Sequence, residues 1–414
     1  MNVIFLTMSR LTDISQRHIY TDLLRKFRNE GHSVYIVSPN ERSFGRPTEL
    51  VGKDGVRILG VKTLNLQKTS VIEKGIGQVL VESQYRKAIK KYLKDVSFDL
   101  ILYSTPPITF PKVIKFLKKR NPNAKTYLLL KDIFPQNAVD MGMMSKEGVK
   151  GVLYRYFRRK ERLLYRLSDF IGCMSPANVE YVLNHNPEVY AERVEVAPNS
   201  IELINKHMED GQEKAERYHI RKKYYLPTNK PIIIYGGNLG KPQGIDYLIK
   251  CLETNKHRTD CFFVVVGNGT EYGKLEAWFE ANANCMDETN RFCVKLIQRL
   301  PKEDYDILVN SCDVGLIFLD HRFTIPNYPS RLLSYLENKM PVICATDVNT
   351  DIGKIAEENG YGYWCESVKP KDFTALVDKM LASDRKAMGD KGYQFLKENY
   401  LVEHTYNIIV RHIK

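Results

Sequence analysis

Short apolar runs alternate with longer amphipathic segments along most of the chain. NVIFLTM, SVYIVSP, VRILGV, DLILYS, TYLLLKD, FIGCMS and VEVAPNS have strand length and little polar alternation. That is the pattern of strands covered on both faces. Segments of helical period lie between several of them, such as QRHIYTDLLRKFRNEG, where Gly31 marks a helix stop. The pattern breaks at a highly charged stretch, residues 209–230, and restarts with PIIIYGG, CFFVVVG, CVKLIQ, VGLIFL and PVICAT. Two α/β domains follow from this, each a doubly wound, Rossmann-like parallel sheet. The boundary falls near residues 198–212, giving domains 1–200 and 201–414. The closing segment from Asp384 is helical, and its last helix is a candidate to cross back onto the first domain. Ligands of open α/β sheets bind at the carboxyl ends of strands, so each strand end is a place to look for chemistry.

Composition adds limits. A chain of 414 residues suits two cores. An apolar content of 43% and a charged content of 27% belong to a folded protein. No apolar run reaches the roughly 18–20 residues of a membrane span. The opening MNVIFLTMSR has no basic stretch before its apolar run and reads as a first strand, not a signal peptide. The eight cysteines form no CxxC and no HExxH occurs, so thiols in a reducing cytosol are expected and a zinc site is not.

Charge changes the picture more. The net charge is +13, but residues 1–200 hold 33 Lys and Arg against 19 Asp and Glu, and the remainder hold 29 against 30. The basic residues cluster with apolar and aromatic neighbours in YRKAIKKYLK (85–94), PKVIKFLKKR (111–120) and GVLYRYFRRKERLLYR (151–166). Such helices suit an anionic membrane surface or a solvated face. No motif that reads RNA or DNA accompanies them, so a nucleic-acid role is disfavoured.

The second domain carries the candidate chemistry. IIIYGGNLGKPQGIDYLIKCL is a strand, a glycine-rich turn and an amphipathic helix. Gly236, Gly237, Gly240 and Gly244 allow close backbone approach, and Lys241 adds a charge where a diphosphate would fit. No Gly-Lys-Ser/Thr follows, so it is not a Walker loop. Gly267 and Gly269 repeat the pattern at the next strand end. Arg299, Leu300 and Pro301 stand between a strand and a helix, where backbone groups can read a base and an apolar side chain can pack on it. In TIPNYPSRLLSYLENK, Ser330 takes an N-cap position and Arg331 the first helical turn. A basic residue there opposes the helix dipole unless an anion is near, which makes Arg331 a phosphate ligand candidate. In the first domain Lys131 and Asp132 follow the strand TYLLLKD, with Asp132 a candidate base or acceptor-orienting group. The first strand end lacks dinucleotide-binding glycines, which disfavours a nicotinamide or flavin enzyme.

The order of HSVYIVSP, KDIFPQNAVDMG, SDFIGCMSP, VEVAPNS, IIIYGGNLGKPQGIDYLI, VVVGNG, DYDILVNSCDVGLIFL and YPSRLLSYLENKMPVICATD resembles the family 4 retaining glycosyltransferases of the GT-B fold. The likeness is to the bacterial branch that builds capsule and O-antigen polysaccharide, and it spans nearly the whole chain. It implies two Rossmann-like domains facing a cleft, the first binding the acceptor and the second the nucleotide-sugar donor, a UDP-sugar first. It also implies a cytoplasmic, peripherally membrane-associated, hexosyltransferase-type enzyme with a lipid-linked, polyprenyl-diphosphate glycan acceptor. No cofactor or metal is implied. By position Gly237 would meet the diphosphate, Arg299 to Pro301 the base, Ser330 and Arg331 the diphosphate again. Asn238, Gly267, Gly269 and Ser334 complete the donor set, Asp132, Arg331 and Lys241 the catalytic set, and Arg17, His18 and Lys131 the acceptor contacts.

The chain also departs from the family. Two glutamates eight positions apart precede the family's Pro-Val strand; counted back from Pro341 they fall on Pro326 and Ser334. The family's Arg and Lys around the glycine turn fall on Asn238 and Gln243, with Lys241 and Arg331 as substitutes. RLTDISQRH stands in place of a glycine-rich first loop. Two alternatives follow: a nucleotide-sugar 2-epimerase of the same fold, and a non-catalytic partner subunit that binds a sugar nucleotide or lipid carrier.

Overall fold

A computed structural model describes residues 1–53, 55–66, 71–203, 210–283 and 292–413. The chain divides into two compact units, one of Met1–Glu202 with Tyr400–Lys414 and one of Leu203–Asn399.

The first unit opens with β1 (Asn2–Leu6), α1 (Ile19–Asn29), β2 (Ser33–Glu41), β3 (Glu49–Lys53), β4 (Val56–Thr63) and α2 (Val71–Tyr92). It continues through β5 (Leu100–Ser104), α3 (Pro111–Arg120), β6 (Lys125–Leu130), α4 (Gln136–Asp140), α5 (Gly148–Leu167), β7 (Phe170–Cys173), α6 (Pro176–His185) and β8 (Val194–Val196). The strands order as β3-β4-β2-β1-β5-β6-β7-β8. All pairs are parallel except β3 with β4. Every residue of β5 is buried, as expected of a strand with helices on both faces. Gly31, at φ +80, follows α1 and frees the chain to turn into β2. The order reverses between β1 and β5, so the strand ends there and at β6 form this unit's ligand-facing edge.

The second unit contains α7 (Asp210–Lys223), β9 (Ile232–Asn238), α8 (Ile245–Asn255), β10 (Phe262–Asn268), α9 (Tyr272–Ala283), β11 (Val294–Ile297), α10 (Lys302–Ser311) and β12 (Val314–Phe318). After them come α11 (Arg331–Glu337), β13 (Val342–Thr346), α12 (Ile352–Glu358), β14 (Gly362–Glu366), α13 (Pro370–Ala382) and α14 (Arg385–Asn399). The order β11-β10-β9-β12-β13-β14 is parallel throughout. Its reversal lies between β9 and β12. Ile233, Leu248, Phe263, Phe318 and Phe373 anchor the core between sheet and helices.

The final helix, α15 (Val402–Val410), belongs to the first unit. Tyr406 and Ile409 share a core with Phe5, Leu24 and Phe27, and the Tyr406 hydroxyl lies 2.8 Å from His32 Nε2. Two strands were not expected from the pattern: β3, an antiparallel edge strand, and β14. VEVAPNS is a strand only to Val196. No described helix is long and apolar enough to cross a membrane. The seven described cysteines are free and buried; Cys285 lies outside the described residues.

Candidate functional site

In the second unit the ends of β9 and β10 lie side by side, with Gly237 opposite Gly267. A cavity of about 780 Å³ opens at these ends. Gly237, Gly267, Asn268, Arg299, Leu300 and Pro301 line it, with Val266, Gln298, Lys302 and Tyr305 completing the wall. One wall is thus backbone, and the other is the turn from β11 into α10. A flat heterocycle suits such a space: apolar Leu300 and Pro301 offer a face, and the backbone of the turn offers hydrogen bonds to an edge.

Gly237 stands at φ +134, which disfavours a side chain, and a Cβ there would sit 3.2 Å from the Arg331 guanidinium carbon. The missing side chain is what lets the guanidinium approach the strand end. Arg331 stacks on Tyr235, its guanidinium carbon 4.3 Å from the ring centroid. Tyr305 and Tyr335 are also near enough to act on its charge. Burial pushes the Tyr305 hydroxyl up to about 12, and those of Tyr235 and Tyr335 are raised too, so all three phenols are neutral. Tyr335 further pins the strand, accepting from Gly236 N at 3.0 Å and donating to Ile234 O at 3.3 Å. Arg331 Nη1 is buried without a hydrogen-bond partner, and no described carboxylate pairs with Arg331. A permanent cation held among neutral rings with an open N–H lacks an anion.

The first unit presents a different chemistry at the end of β6. Thr105 Oγ1 receives the backbone N–H of Lys131 at 3.0 Å and of Asp132 at 3.3 Å. The Asn137 amide lies 2.8 Å from both Asp132 oxygens. Burial raises the Asp132 carboxyl to about 6 against that hydrogen bonding. Burial also lowers the Lys131 ammonium to about 7; its Nζ donates to Ala197 O at 3.3 Å. Two adjacent side chains therefore titrate close to neutrality at one strand end, as proton-handling sites require. Among the described residues no three His, Cys, Asp or Glu side chains converge as metal ligands.

Comparison with known proteins decides the class. Residues 216–395, nearly the whole second unit, match the family model "Glycosyl transferases group 1". The glycosyltransferase WbjE of Pseudomonas aeruginosa is 21% identical over 341 residues, 80% of this chain and 78% of its own length. The colanic acid biosynthesis glycosyl transferase WcaI of Escherichia coli (strain K12) is 24% identical over 283 residues, 67% of this chain and 64% of that protein. The trehalose-6-phosphate structure from E. coli bound with UDP-2-fluoro glucose superposes with a TM-score of 0.72 at 11% identity, covering 100% of this chain and 99% of that one. At that identity the likeness speaks for the fold. The chain is a GT-B glycosyltransferase.

In this glycosyltransferase the residues singled out from the sequence separate into groups. Gly237, Gly267, Arg299, Leu300 and Pro301 line one cavity, and Arg331 meets it at Gly237. Gly267 and Gly269 also answer to packing, because a Cβ on either would overlap the backbone of Gly237 or Leu239. Asn238 is exposed beside the cavity and donates to Gln243 at 3.0 Å. Lys241 is exposed on a 3-10 turn, Lys241–Gln243, and does not line the cavity. Ser330 holds the N-cap position of α11, but its φ and ψ are already helical and its hydroxyl caps nothing. Ser334 lies one turn beyond Arg331 on the same helix. Arg17 and His18 hold the start of α1: His18 Nδ1 accepts from Tyr20 N at 3.3 Å, and Arg17 donates to Glu202 O at 2.8 Å.

The three tyrosines around Arg331 were not found from the sequence. Tyr235, Tyr305 and Tyr335 come from β9, α10 and α11, and each reads locally as an apolar-face residue. The only signal was the glycine beside Tyr235, which permits a close approach without saying to what.

Proposed function

We propose that this protein moves a sugar from a nucleotide-sugar, a UDP-sugar first, to a lipid-linked glycan acceptor in surface polysaccharide biosynthesis. The observation that carries the donor half is the unpaired Arg331 at Gly237, beside a cavity with a backbone wall and an apolar wall. The cavity takes the nucleoside. The Arg331 fork takes the diphosphate, whose charge grows as the sugar leaves. No metal is invoked, because the positive charge is already present in the protein.

In the transfer the bond from sugar C1 to the diphosphate oxygen breaks and a bond from C1 to the acceptor hydroxyl forms. The acceptor proton passes to a phosphate oxygen of the departing nucleoside diphosphate, which leaves from the face attacked and so retains configuration. Asp132 and Lys131 orient the acceptor through their near-neutral carboxyl and amine. The name of WcaI supports the polysaccharide setting. The UDP-sugar bound in the trehalose-6-phosphate structure supports the donor class. The excess of Lys and Arg in residues 1–200 supports an acceptor presented at the inner face of a membrane and a peripheral, cytoplasmic location.

The test is a thermal-shift series without metal, using UDP, GDP, dTDP, ADP and CMP. A ligand at 100 times its Kd stabilises by about 2.7 kcal/mol. A shift with one nucleoside diphosphate names the base. No shift with any of them overturns the donor-site reading.

A further inference from the structure

Of the three phenols around Arg331, two have a structural use for their hydroxyls. Tyr235 donates to Asn238 O at 2.7 Å. Tyr335 accepts from Gly236 N at 3.0 Å and donates to Ile234 O at 3.3 Å. Both hold the end of β9 in shape. The Tyr305 hydroxyl forms no hydrogen bond with a described residue. Its place is nevertheless fixed. The Tyr305 backbone N–H donates to Pro301 O at 2.9 Å in the first turn of α10. A Cβ on Gly236 would overlap the Tyr305 hydroxyl, so that oxygen stands on the end of β9, one residue before Gly237 and the Arg331 guanidinium. Of the three phenols only Tyr305 lines the donor cavity. Burial holds the proton on its oxygen near neutral pH, which leaves it free to donate.

The chemistry asks for such a group. Charge growing on a departing diphosphate is best met by several fixed donors. Arg331 brings a buried Nη1 without a partner. The glycine-rich turn adds no cation to the cavity: Lys241 does not line it, and the Gln243 amide oxygen already accepts from Asn238 at 3.0 Å and from Gly240 N at 3.1 Å. Tyr305 lies close enough to Arg331 to act on its charge, so one open O–H and one open N–H are neighbours at the same strand end. A phosphate chain can take both.

We propose that the Tyr305 hydroxyl donates a hydrogen bond to the phosphate joined to the ribose of the donor nucleotide, leaving the outer phosphate to Arg331. This rests on the donor reading above: with the nucleoside in the cavity that Tyr305 lines, the inner phosphate is the first group to emerge from it. The test is calorimetric titration of wild type and variants with the diphosphate that shifts the melt, UDP first, and with its monophosphate and nucleoside. Tyr305→Phe should weaken diphosphate and monophosphate alike, roughly 10- to 100-fold, the range of a hydrogen bond to a charged group. It should leave the nucleoside bound as in wild type. Arg331→Met should weaken the diphosphate and leave the monophosphate nearly unchanged. Without ligand, Tyr305→Phe should melt with wild type, whereas Tyr335→Phe strands Gly236 N and should melt lower. Equal monophosphate binding by wild type and Tyr305→Phe overturns the proposal and leaves the donor site standing. An equal loss for the nucleoside overturns it too, because the hydroxyl would then meet the ribose. A wild type that binds none of the nucleotides overturns the donor reading, and this assignment with it.

Discussion

Replacing Arg331 separates a functional cation from a structural one. In the free protein the Arg331 guanidinium has a buried N–H without a partner and no described carboxylate beside it. Arg331 is half-buried, and leaving one buried N–H without a partner costs about 1–3 kcal/mol. The stacking on Tyr235 at 4.3 Å returns about 0.5–2 kcal/mol. The two terms roughly offset, so the guanidinium adds little to the free protein's stability, and an anion on the open N–H would tip the balance in its favour. Arg331→Met keeps most of the side-chain volume and removes the charge. The free variant should therefore melt no lower than wild type, and each kcal/mol gained appears as about 2–4 °C for a domain this size. Binding moves the other way. Losing a charge-assisted contact worth about 1.5–3 kcal/mol weakens nucleoside diphosphate binding roughly 10- to 100-fold. At a concentration of 100 times the wild-type Kd, ligand stabilisation should drop from about 2.7 to about 0.4–1.4 kcal/mol. Turnover at saturating donor should fall about 100- to 1,000-fold, the loss of about 3–4 kcal/mol seen when one donor to developing charge is removed. Thermal melts with and without ligand, together with initial rates, read all three. Wild-type turnover by a folded Arg331→Met protein would refute the assignment. So would a loss of free-protein stability of about 2–5 kcal/mol, the size of a core truncation, because Arg331 would then be a packing residue.

Gly237→Ala places a Cβ 3.2 Å from the Arg331 guanidinium carbon at φ +134; we expect a stability loss of about 1–3 kcal/mol and a lost nucleotide shift, checked by denaturant titration with and without ligand. Leu300→Ala removes part of the apolar wall and should raise the donor KM about fivefold, near 1 kcal/mol of lost burial, with kcat held; an unchanged KM would place the base elsewhere. Asp132 titrates at about 6 when folded and near 3.8 otherwise, so the folded state holds the extra proton between those values and stability falls as pH rises through them. Asp132→Asn should match wild type near pH 4 and exceed it at pH 7, by at most about 3 kcal/mol because the group is partly exposed; parallel urea midpoints across that range would contradict the burial of this carboxyl.

The strands that the hydrophobic pattern shows most plainly are those buried on both faces, such as LILYS of β5 and VGLIF of β12. The missed strands lack that signal for physical reasons. ELVGK of β3 is an exposed antiparallel edge with a glycine at its fourth position, so it has neither a continuous apolar run nor clean alternation. GYWCE of β14 pairs on one side only and buries only Gly362 and Cys365. The candidate site divides in the same way. Arg331 was visible because a cation in a first helical turn is a local misfit, and a misfit needs no knowledge of the tertiary structure. Lys241 looked equally suitable by that reasoning, yet it points its charge from an exposed turn outside the cavity. The difference lies in what surrounds each cation. Tyr235, Tyr305 and Tyr335 stand 70 and 30 residues apart in sequence, and only the fold gathers them about one guanidinium. A phenol in a strand or on a helix face satisfies the core pattern whether or not a cation will lie against it. If the proposed donor reading holds, the charge that matters is the one these tyrosines surround with no described carboxylate beside it, and the lack of acidic side chains at Pro326 and Ser334 is then no obstacle to binding an anion there.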